Sequence, residues 1–209
     1  MLTAQLFSPN MLKTYEACPK KFYFRYVKNI SMPIDDEIFE TGKNVHALAS
    51  YYLRKENIHK MELSLNEREK EIWEYLKGII YFGFETVNTE YNLSVKLGNY
   101  FYGGRLDALV KKDDTYYILD YKTGSAPKNA KYDYQTMIYL LAVQAFFKTD
   151  RVVFVYLDLK NKTEIKIELT SDLVKEYREK LEQITKKIES EDFITKQKEC
   201  KCEYNIICY

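Results

Sequence analysis

Apolar residues in the first part of the chain recur at helical spacing and predict a mainly helical segment over residues 1–86. Ser8-Pro9 predicts a helix start, because Ser is a favoured N-cap and Pro is tolerated in the first helical turn. Pro19 should interrupt this helix, and a second short helix should carry Phe22, Tyr23 and Tyr26. The further helices predicted in this segment cover residues 37–54 and 66–86.

The pattern then changes to short apolar runs separated by turn residues, which predicts strands. The predicted strands cover residues 89–97, 100–112, 115–122, 151–158 and 163–169, and the predicted helices cover 131–147 and 171–190. Asp113-Asp114 forms a tight turn, the apolar run from Arg151 to Asp158 is typical of a sheet centre, and Ser171 is the expected N-cap of the last helix. The prediction is one α/β domain over residues 1–209, with a core at 87–190 and a tail at 191–209.

The amino-acid composition is typical of a folded domain but does not indicate a particular function. Hydrophobic residues make up 46% and charged residues 30% of the 209 residues, which suits a packed domain. A net charge of +1 does not indicate a nucleic-acid binder, so any such role must depend on local patches. No run reaches the ~18–20 apolar residues that span a bilayer, and no secretory leader is evident, so we expect a cytoplasmic protein without a membrane partner.

The strongest candidate site lies on the predicted hairpin. With Asp113 and Asp114 at its turn, Asp107 faces Asp120 directly, and Lys122 leaves the same face as Asp120. Two facing carboxylates repel each other unless a cation joins them, and Mg²⁺ or Mn²⁺ prefers such oxygen ligands. A divalent ion can activate water for attack on a phosphodiester, and a nearby lysine can stabilise the developing charge. The alternative is an exposed pair of surface carboxylates, which the apolar flanks of both residues disfavour.

These residues also carry a family resemblance. Gly-Arg-Leu-Asp-Ala-Leu-Val at 104–110 and Ile-Leu-Asp-Tyr-Lys-Thr-Gly at 118–124 resemble the core of RecB-like nucleases of the PD-(D/E)XK type. The resemblance implies a restriction-endonuclease-like mixed central sheet flanked by helices. It also implies that Asp107, Asp120 and the backbone carbonyl of Tyr121 bind metal, and that Lys122 is catalytic.

Two further motifs extend the resemblance. Thr-Gly-Lys-Asn-Val-His ending at His46 resembles the segment that carries a metal-binding histidine, although a lone helical histidine is more often an ordinary surface or core residue. Gln135 and Tyr139 match a Gln-x-x-x-Tyr motif and share one helix face, where they would orient the lysine or contact DNA. Glu90 is a softer candidate, since it could equally be a solvated residue of its strand.

The cysteines form a third group. Cys18 precedes the predicted core and Cys200, Cys202 and Cys208 follow it. The arrangement resembles nucleases in which four thiolates hold a 4Fe-4S cluster that joins the C-terminal tail to the N-terminal helices as an iron-sulfur subdomain. The Cys200–Cys202 spacing is one residue shorter than usual for those nucleases, so a structural Zn²⁺ site stays open as an alternative.

The resemblance implies a metal-dependent deoxyribonuclease, most simply an exonuclease on single-stranded DNA in CRISPR adaptation or in DNA repair and recombination, working in a protein complex. Basic and aromatic residues next to Cys18 are the candidate DNA contacts: Lys20, Lys21, Tyr23 and Arg25. The alternatives are a catalytically silent relative that binds DNA or scaffolds a complex, and a zinc-stabilised structural protein. The complete catalytic set favours the enzyme over a silent relative.

Overall fold

The computed structural model describes residues 6–32, 40–190, 192–194 and 202–208. The α-helices in these ranges are α1 (Pro9–Ala17), α2 (Pro19–Phe22), α3 (Glu40–Leu53), α4 (His59–Ser64), α5 (Glu67–Gly78), α6 (Tyr134–Phe147) and α7 (Ser171–Glu189). A π-helical turn over Tyr23–Val27 directly continues α2, so the predicted short helix does carry Phe22, Tyr23 and Tyr26. The strands are β1 (Leu6–Phe7), β2 (Glu85–Leu97), β3 (Tyr100–Lys112), β4 (Thr115–Lys122), β5 (Val152–Asp158) and β6 (Thr163–Glu168). No helix in these ranges is long and apolar enough to cross a bilayer.

The strands form one mixed sheet in the order β1-β3-β4-β5-β6, and β2 pairs with β3 outside that path. The pairs β1–β3 and β4–β5 are parallel, whereas β2–β3, β3–β4 and β5–β6 are antiparallel. The prediction of a mixed α/β sheet flanked by helices is therefore confirmed.

Two separate cores cover the two faces of the sheet. Strand β5 is buried along its whole length and alternates between them: Phe154 and Tyr156 join the core under α1, α6 and α7. Val153 and Val155 join the core under α3 and α5. A strand that is apolar on both faces is the mark of a sheet centre, as its sequence predicted.

The start of the chain follows its local signals. Ser8 caps α1 by accepting a hydrogen bond from the Met11 amide, with Pro9 in the first turn. Helix α1 ends at Ala17 and α2 begins at Pro19, which confirms the predicted interruption. The predicted helix over 37–54 is observed from Glu40 to Leu53, and positions 37–39 lie outside the described residues.

Two predictions are wrong at this level. The helix predicted over 66–86 ends at Gly78, a short 3₁₀ turn covers Ile80–Gly83, and β2 already begins at Glu85. The aromatic side chains after Gly78 pack into the core under α3 and α5, where Tyr81 is 2% exposed. The N-cap of α7 is Thr170, whose side chain accepts from the Leu173 amide, so Ser171 is the first helical residue. Strand β1 and helix α4 were not predicted.

Candidate active site

The β3–β4 hairpin sets the position of the two carboxylates. Asp113 has a positive φ of 53° in the turn, and Ala108 pairs with Leu119 across the hairpin. The predicted register is thus confirmed up to the residue next to Asp107. Beyond that pair, Asp107 Oδ2 accepts a hydrogen bond of 2.9 Å from the Tyr121 amide, which fixes its side chain against β4.

Asp120, Lys122 and Gln135 form a closed triangle. Lys122 Nζ lies 2.7 Å from Asp120 Oδ2 and donates to Gln135 Oε1 at 3.0 Å. The Gln135 amide nitrogen in turn donates to Asp120 Oδ1 at 3.0 Å. Gln135 comes from the first turn of α6, whose start is capped by Asp133. The predicted motif residue therefore contacts both the carboxylate and the lysine.

The surroundings of Asp120 disfavour its ionised form. Burial and the neighbouring charge of Asp107 raise the pKa of Asp120 to about 6, against the opposing influence of Lys122 and His46. Its Oδ2 atom is buried and lacks a partner with hydrogen-bond geometry, although Lys122 Nζ is close. A buried carboxylate oxygen in this condition is suited to a metal cation.

His46 joins the group from α3, which packs on the sheet through Val45, Leu48 and Ala49. Its Nε2 donates to the Tyr121 carbonyl at 3.0 Å, and its Nδ1 lies 3.4 Å from Asp107 Oδ1. Burial favours the neutral ring, but the hydrogen bond and charge of Asp107, with smaller contributions from Asp120 and the Tyr121 carbonyl, raise the pKa of His46 overall.

Glu90 completes a cluster of potential ligands. It lies on β2 between Thr89 and Tyr91, which pair with the two neighbours of Asp107. Single ligand atoms of His46, Glu90 and Asp107 all lie within 4.8 Å of one another. Glu90 has a positive φ of 49°, and its Oε2 forms an ion pair with Arg105 Nε at 2.9 Å.

The observed donor set fits a divalent cation. It combines an imidazole, carboxylates and a backbone carbonyl, which are ligand types that Mg²⁺ and Mn²⁺ accept. A cavity of about 710 Å³ opens beside these groups and is also lined by Lys43, Arg54 and Lys122.

Tyr139 occupies a different place from Gln135. Its hydroxyl donates to the Arg105 carbonyl at 3.1 Å, and a Cβ atom on Gly104 would lie 2.8 Å from that hydroxyl. Tyr139 therefore packs against the backbone of the strand that carries Asp107 instead of contacting Lys122.

Asp158 is a site-supporting residue that the sequence analysis missed. It accepts hydrogen bonds from the Ala126 amide at 3.4 Å and the Asn161 amide at 2.9 Å, which ties the segment after Lys122 to the end of β5. A signal existed, because Asp158 ends a fully apolar strand. Its parallel pairing with Lys122, however, depends on strand order, which the sequence pattern does not give.

The tail packs on the N-terminal helices. Glu203 pairs with Lys21 at 2.9 Å, and the Tyr204 hydroxyl donates to the Ile30 carbonyl at 2.7 Å. Cys18 is buried and caps α2, its sulfur accepting from the Lys21 amide at 3.4 Å, whereas Cys202 and Cys208 are half-buried. Cys200 lies outside the described residues.

The four candidate DNA contacts near Cys18 are engaged within the protein. Lys21 pairs with Glu203, Lys20 lies 5.9 Å from the Tyr23 ring, and Arg25 lies 5.6 Å from the Tyr26 ring. None of the four lines the 710 Å³ cavity beside His46. Their role in DNA binding stays a prediction.

Comparisons with known proteins agree with this geometry. The model of the PD-(D/E)XK nuclease superfamily matches residues 6–78 and 65–209. The CRISPR-associated exonuclease Cas4 of Francisella tularensis subsp. novicida (strain U112) is 28% identical over 132 residues, which are 61% of this chain and 66% of that protein. The match thus spans slightly less than two thirds of that relative's length.

A solved structure supports the same fold. A protein of Eubacterium rectale that is provisionally named as an exonuclease superposes with a TM-score of 0.58 at 12% identity, over 94% of this chain and 86% of that one. At this identity the likeness concerns the fold alone. Because the family model spans nearly all of the sequence and the site has the matching residues, the chain belongs to the PD-(D/E)XK nuclease superfamily.

Proposed function

We propose that this protein is a divalent-metal-dependent deoxyribonuclease that hydrolyses phosphodiester bonds, acting as an exonuclease on single-stranded DNA. The observation that carries the proposal is the meeting of His46 with Asp107 and the Tyr121 carbonyl. The buried Asp120 next to them pairs with Lys122 and feels the charges of Asp107 and His46. A silent relative would have no need to keep a buried carboxylate beside a second carboxylate, because that arrangement costs stability.

The proposed metal ligands are Asp107, Asp120, His46 and the backbone carbonyl of Tyr121, with Glu90 as an additional ligand. A bound Mg²⁺ or Mn²⁺ supplies activation of water and polarisation of a phosphoryl oxygen. Fixed hydrogen bonds hold each ligand: the Tyr121 amide orients Asp107, and Gln135 orients Asp120. Such supporting contacts keep ligands in place when the substrate arrives.

Lys122 is the proposed catalytic residue. Its ammonium group lies between Asp120 and Gln135, and its side chain also contacts the Tyr156 ring at 5.6 Å. From this position it would bind a phosphoryl oxygen of the scissile group and offset the negative charge that gathers there during attack. Gln135 accepts from this ammonium and donates to Asp120, and so fixes the position of both groups. Tyr139 would support the strand that carries Asp107.

We further propose that Cys18, Cys200, Cys202 and Cys208 hold a 4Fe-4S cluster, with structural Zn²⁺ as the alternative. The packing of the 202–208 segment on the helices around Cys18 supports a shared centre at this place. The amide that donates to Cys18 Sγ would stabilise a thiolate ligand. The centre would be structural, because its described cysteines are absent from the cavity beside His46.

DNA is the proposed substrate, and the similarity to a CRISPR-associated exonuclease favours a role in CRISPR adaptation, with antiviral defence as its context. DNA repair is the other context that fits a nuclease of this family. In either case the protein would act within a larger protein complex.

The test is digestion of end-labelled single- and double-stranded DNA with Mg²⁺ or Mn²⁺, using protein purified without oxygen. We expect wild type to degrade single strands and Lys122→Ala to lose at least about 100-fold in rate, as when a charge-stabilising group is removed. Intact wild-type protein that cleaves neither substrate with either metal would overturn the proposal and favour a silent DNA-binding relative.

A further inference from the structure

A second cavity of about 840 Å³ is lined by Lys122 but by none of the proposed metal ligands. Lys122 and Ser125 line both this cavity and the 710 Å³ cavity beside His46, so the two are joined at the catalytic lysine. The second cavity is bounded by α1, the segment before α6, and α7. Its role is not explained by the hydrolytic site itself.

The walls of this second cavity carry more positive than negative charge. Four lysines line it, namely Lys13, Lys122, Lys180 and Lys187, against the two carboxylates Glu16 and Asp133. Three of the lysines are in ion pairs: Lys13 with Asp133 at 2.8 Å, Lys122 with Asp120 at 2.7 Å and Lys180 with Glu176 at 3.4 Å. Glu16 accepts a hydrogen bond from Tyr134. In the described part of the chain, Lys187 is in no ion pair and is exposed at the cavity, so its charge is available to a ligand.

Lys180 is held in position by an aromatic ring. Its ammonium lies 3.5 Å from the centroid of the Tyr132 ring and 3.4 Å from Glu176. The Tyr132 hydroxyl donates to the same glutamate at 3.2 Å. A lysine fixed against a ring loses less side-chain entropy when it binds an anion, which is useful in a substrate groove.

We propose that the second cavity is the other half of the substrate groove, where Lys180 and Lys187 bind backbone phosphates of a single DNA strand that passes over Lys122. The inference rests on the proposed function, because it takes the substrate to be DNA. A flexible single strand can follow a recessed, lysine-lined cavity, whereas a rigid duplex can contact only its rim. Helix α7 is thus a DNA-binding element, although its sequence reads as an ordinary amphipathic helix.

The experiment measures the binding of a labelled oligothymidylate to the full chain in EDTA, so that cleavage does not interfere. It compares Lys180→Ala/Lys187→Ala with a matched control, Lys175→Ala/Lys186→Ala. The control removes the same charge from the same helix at exposed positions that do not line the cavity. Lys→Ala changes on a helix surface do not disturb the helix.

We expect the groove variant to bind the strand more weakly at every salt concentration. The slope of log Kd against log salt should become shallower by about 1.4, because each lost phosphate contact removes roughly 0.7 for single strands. The control should keep the wild-type slope. Equal slopes for both variants would overturn the proposal, as would an unlabelled duplex that competes as well as the single strand.

The result is separable from the nuclease activity. Suppose the salt dependence of strand binding needs Lys180 and Lys187, but wild type cleaves no DNA with metal. The proposed DNA groove would then be supported and the proposed hydrolysis would be refuted. If wild type cleaves DNA while the groove variant keeps the wild-type slope, the groove fails and the hydrolysis stands.

Discussion

At the residue scale, the site consists of charges that oppose one another unless a cation joins them. Asp120 is buried beside Asp107, and its burial first and the charge of Asp107 second raise the pKa of Asp120. The protein accepts this unfavourable arrangement at the same place where His46 and the Tyr121 carbonyl converge. Such a concentration of unfavourable electrostatics is typical of a functional site.

Replacement of Gln135 tests whether its hydrogen bonds to Asp120 and Lys122 contribute to cleavage. We expect Gln135→Ala to lower the rate of DNA cleavage by about 10- to 100-fold, because Asp120 and Lys122 both lose a partner that orients them. The control is Gln144→Ala on the same helix, whose amide donates to Asp150 at the surface. Equal rates for the two variants would contradict a positioning role for Gln135.

The sequence predicted the site residues whose position follows from the hairpin, but not those whose position depends on an unusual backbone angle or on strand order. A two-residue turn fixes which positions face each other, so Asp107 and Asp120 follow from sequence once the hairpin is recognised. Glu90 was ambiguous because its place depends on a positive φ in β2, which no periodic pattern indicates. Asp158 needed the order of the strands, which is a tertiary property.

At the element scale, the long β2–β3 hairpin presents Asp107 and Glu90 together, and it depends on close backbone approach. A Cβ atom on Gly103 would overlap the Leu93 carbonyl oxygen and would lie 2.7 Å from the Ser94 Cα atom. Because these are backbone atoms, neither can move away without distorting the strand pair. Glycine is therefore required at position 103.

Replacing this glycine should damage the hairpin. We expect Gly103→Ala to lower the free energy of unfolding by about 1–3 kcal/mol, as overpacking does elsewhere, measured by urea denaturation. The control is Gly83→Ala, where no heavy atom lies within 4 Å of the added Cβ. A Gly103→Ala protein as stable as the control would show that the strands tolerate a wider separation.

Hydrophobic periodicity alone gave the wrong end for helix α5. The apolar run after Gly78 continues the pattern of α5 well enough to predict one helix over 66–86. In the fold that run supplies Tyr81 and Phe82 to the second core and then β2. Tertiary packing decided this segment, whereas α1 and the α1–α2 boundary followed from Ser8, Pro9 and Pro19.

At the scale of the whole molecule, the two ends of the chain meet. Tyr204 is 2% exposed, stacks on Phe24 with ring centroids 5.7 Å apart and hydrogen-bonds to Ile30. The resemblance of the cysteine arrangement to iron-sulfur nucleases implied such a contact, but neither periodicity nor charge indicated which tail residue would anchor it. The tail thus stabilises the helices that precede the nuclease core.

Removal of this anchor should loosen both ends together. We expect Tyr204→Ala to cost about 3–5 kcal/mol of stability, typical of large aromatic side chains lost from a core. Thermal unfolding of protein purified without oxygen measures the effect, and its visible absorbance reports whether a cluster is retained. Ile206→Ala is the control, since Ile206 is 71% exposed. A Tyr204→Ala protein with the melting temperature of the control would contradict the anchor.

In the proposed function, one divalent cation held by these ligands is needed for hydrolysis, while Lys122 acts separately from metal binding. Calorimetric titration measures Mn²⁺ binding by wild type, Asp107→Asn and Lys122→Ala. The same samples are then assayed for DNA cleavage, so that metal binding and catalysis are compared directly. Asn at 107 can keep the hydrogen bond from the Tyr121 amide, so the fold should persist. We expect wild type to bind Mn²⁺ and cleave, Asp107→Asn to do neither, and Lys122→Ala to bind Mn²⁺ without cleaving. Undiminished Mn²⁺ binding by Asp107→Asn, or cleavage by wild type in the absence of any divalent metal, would contradict the proposed function.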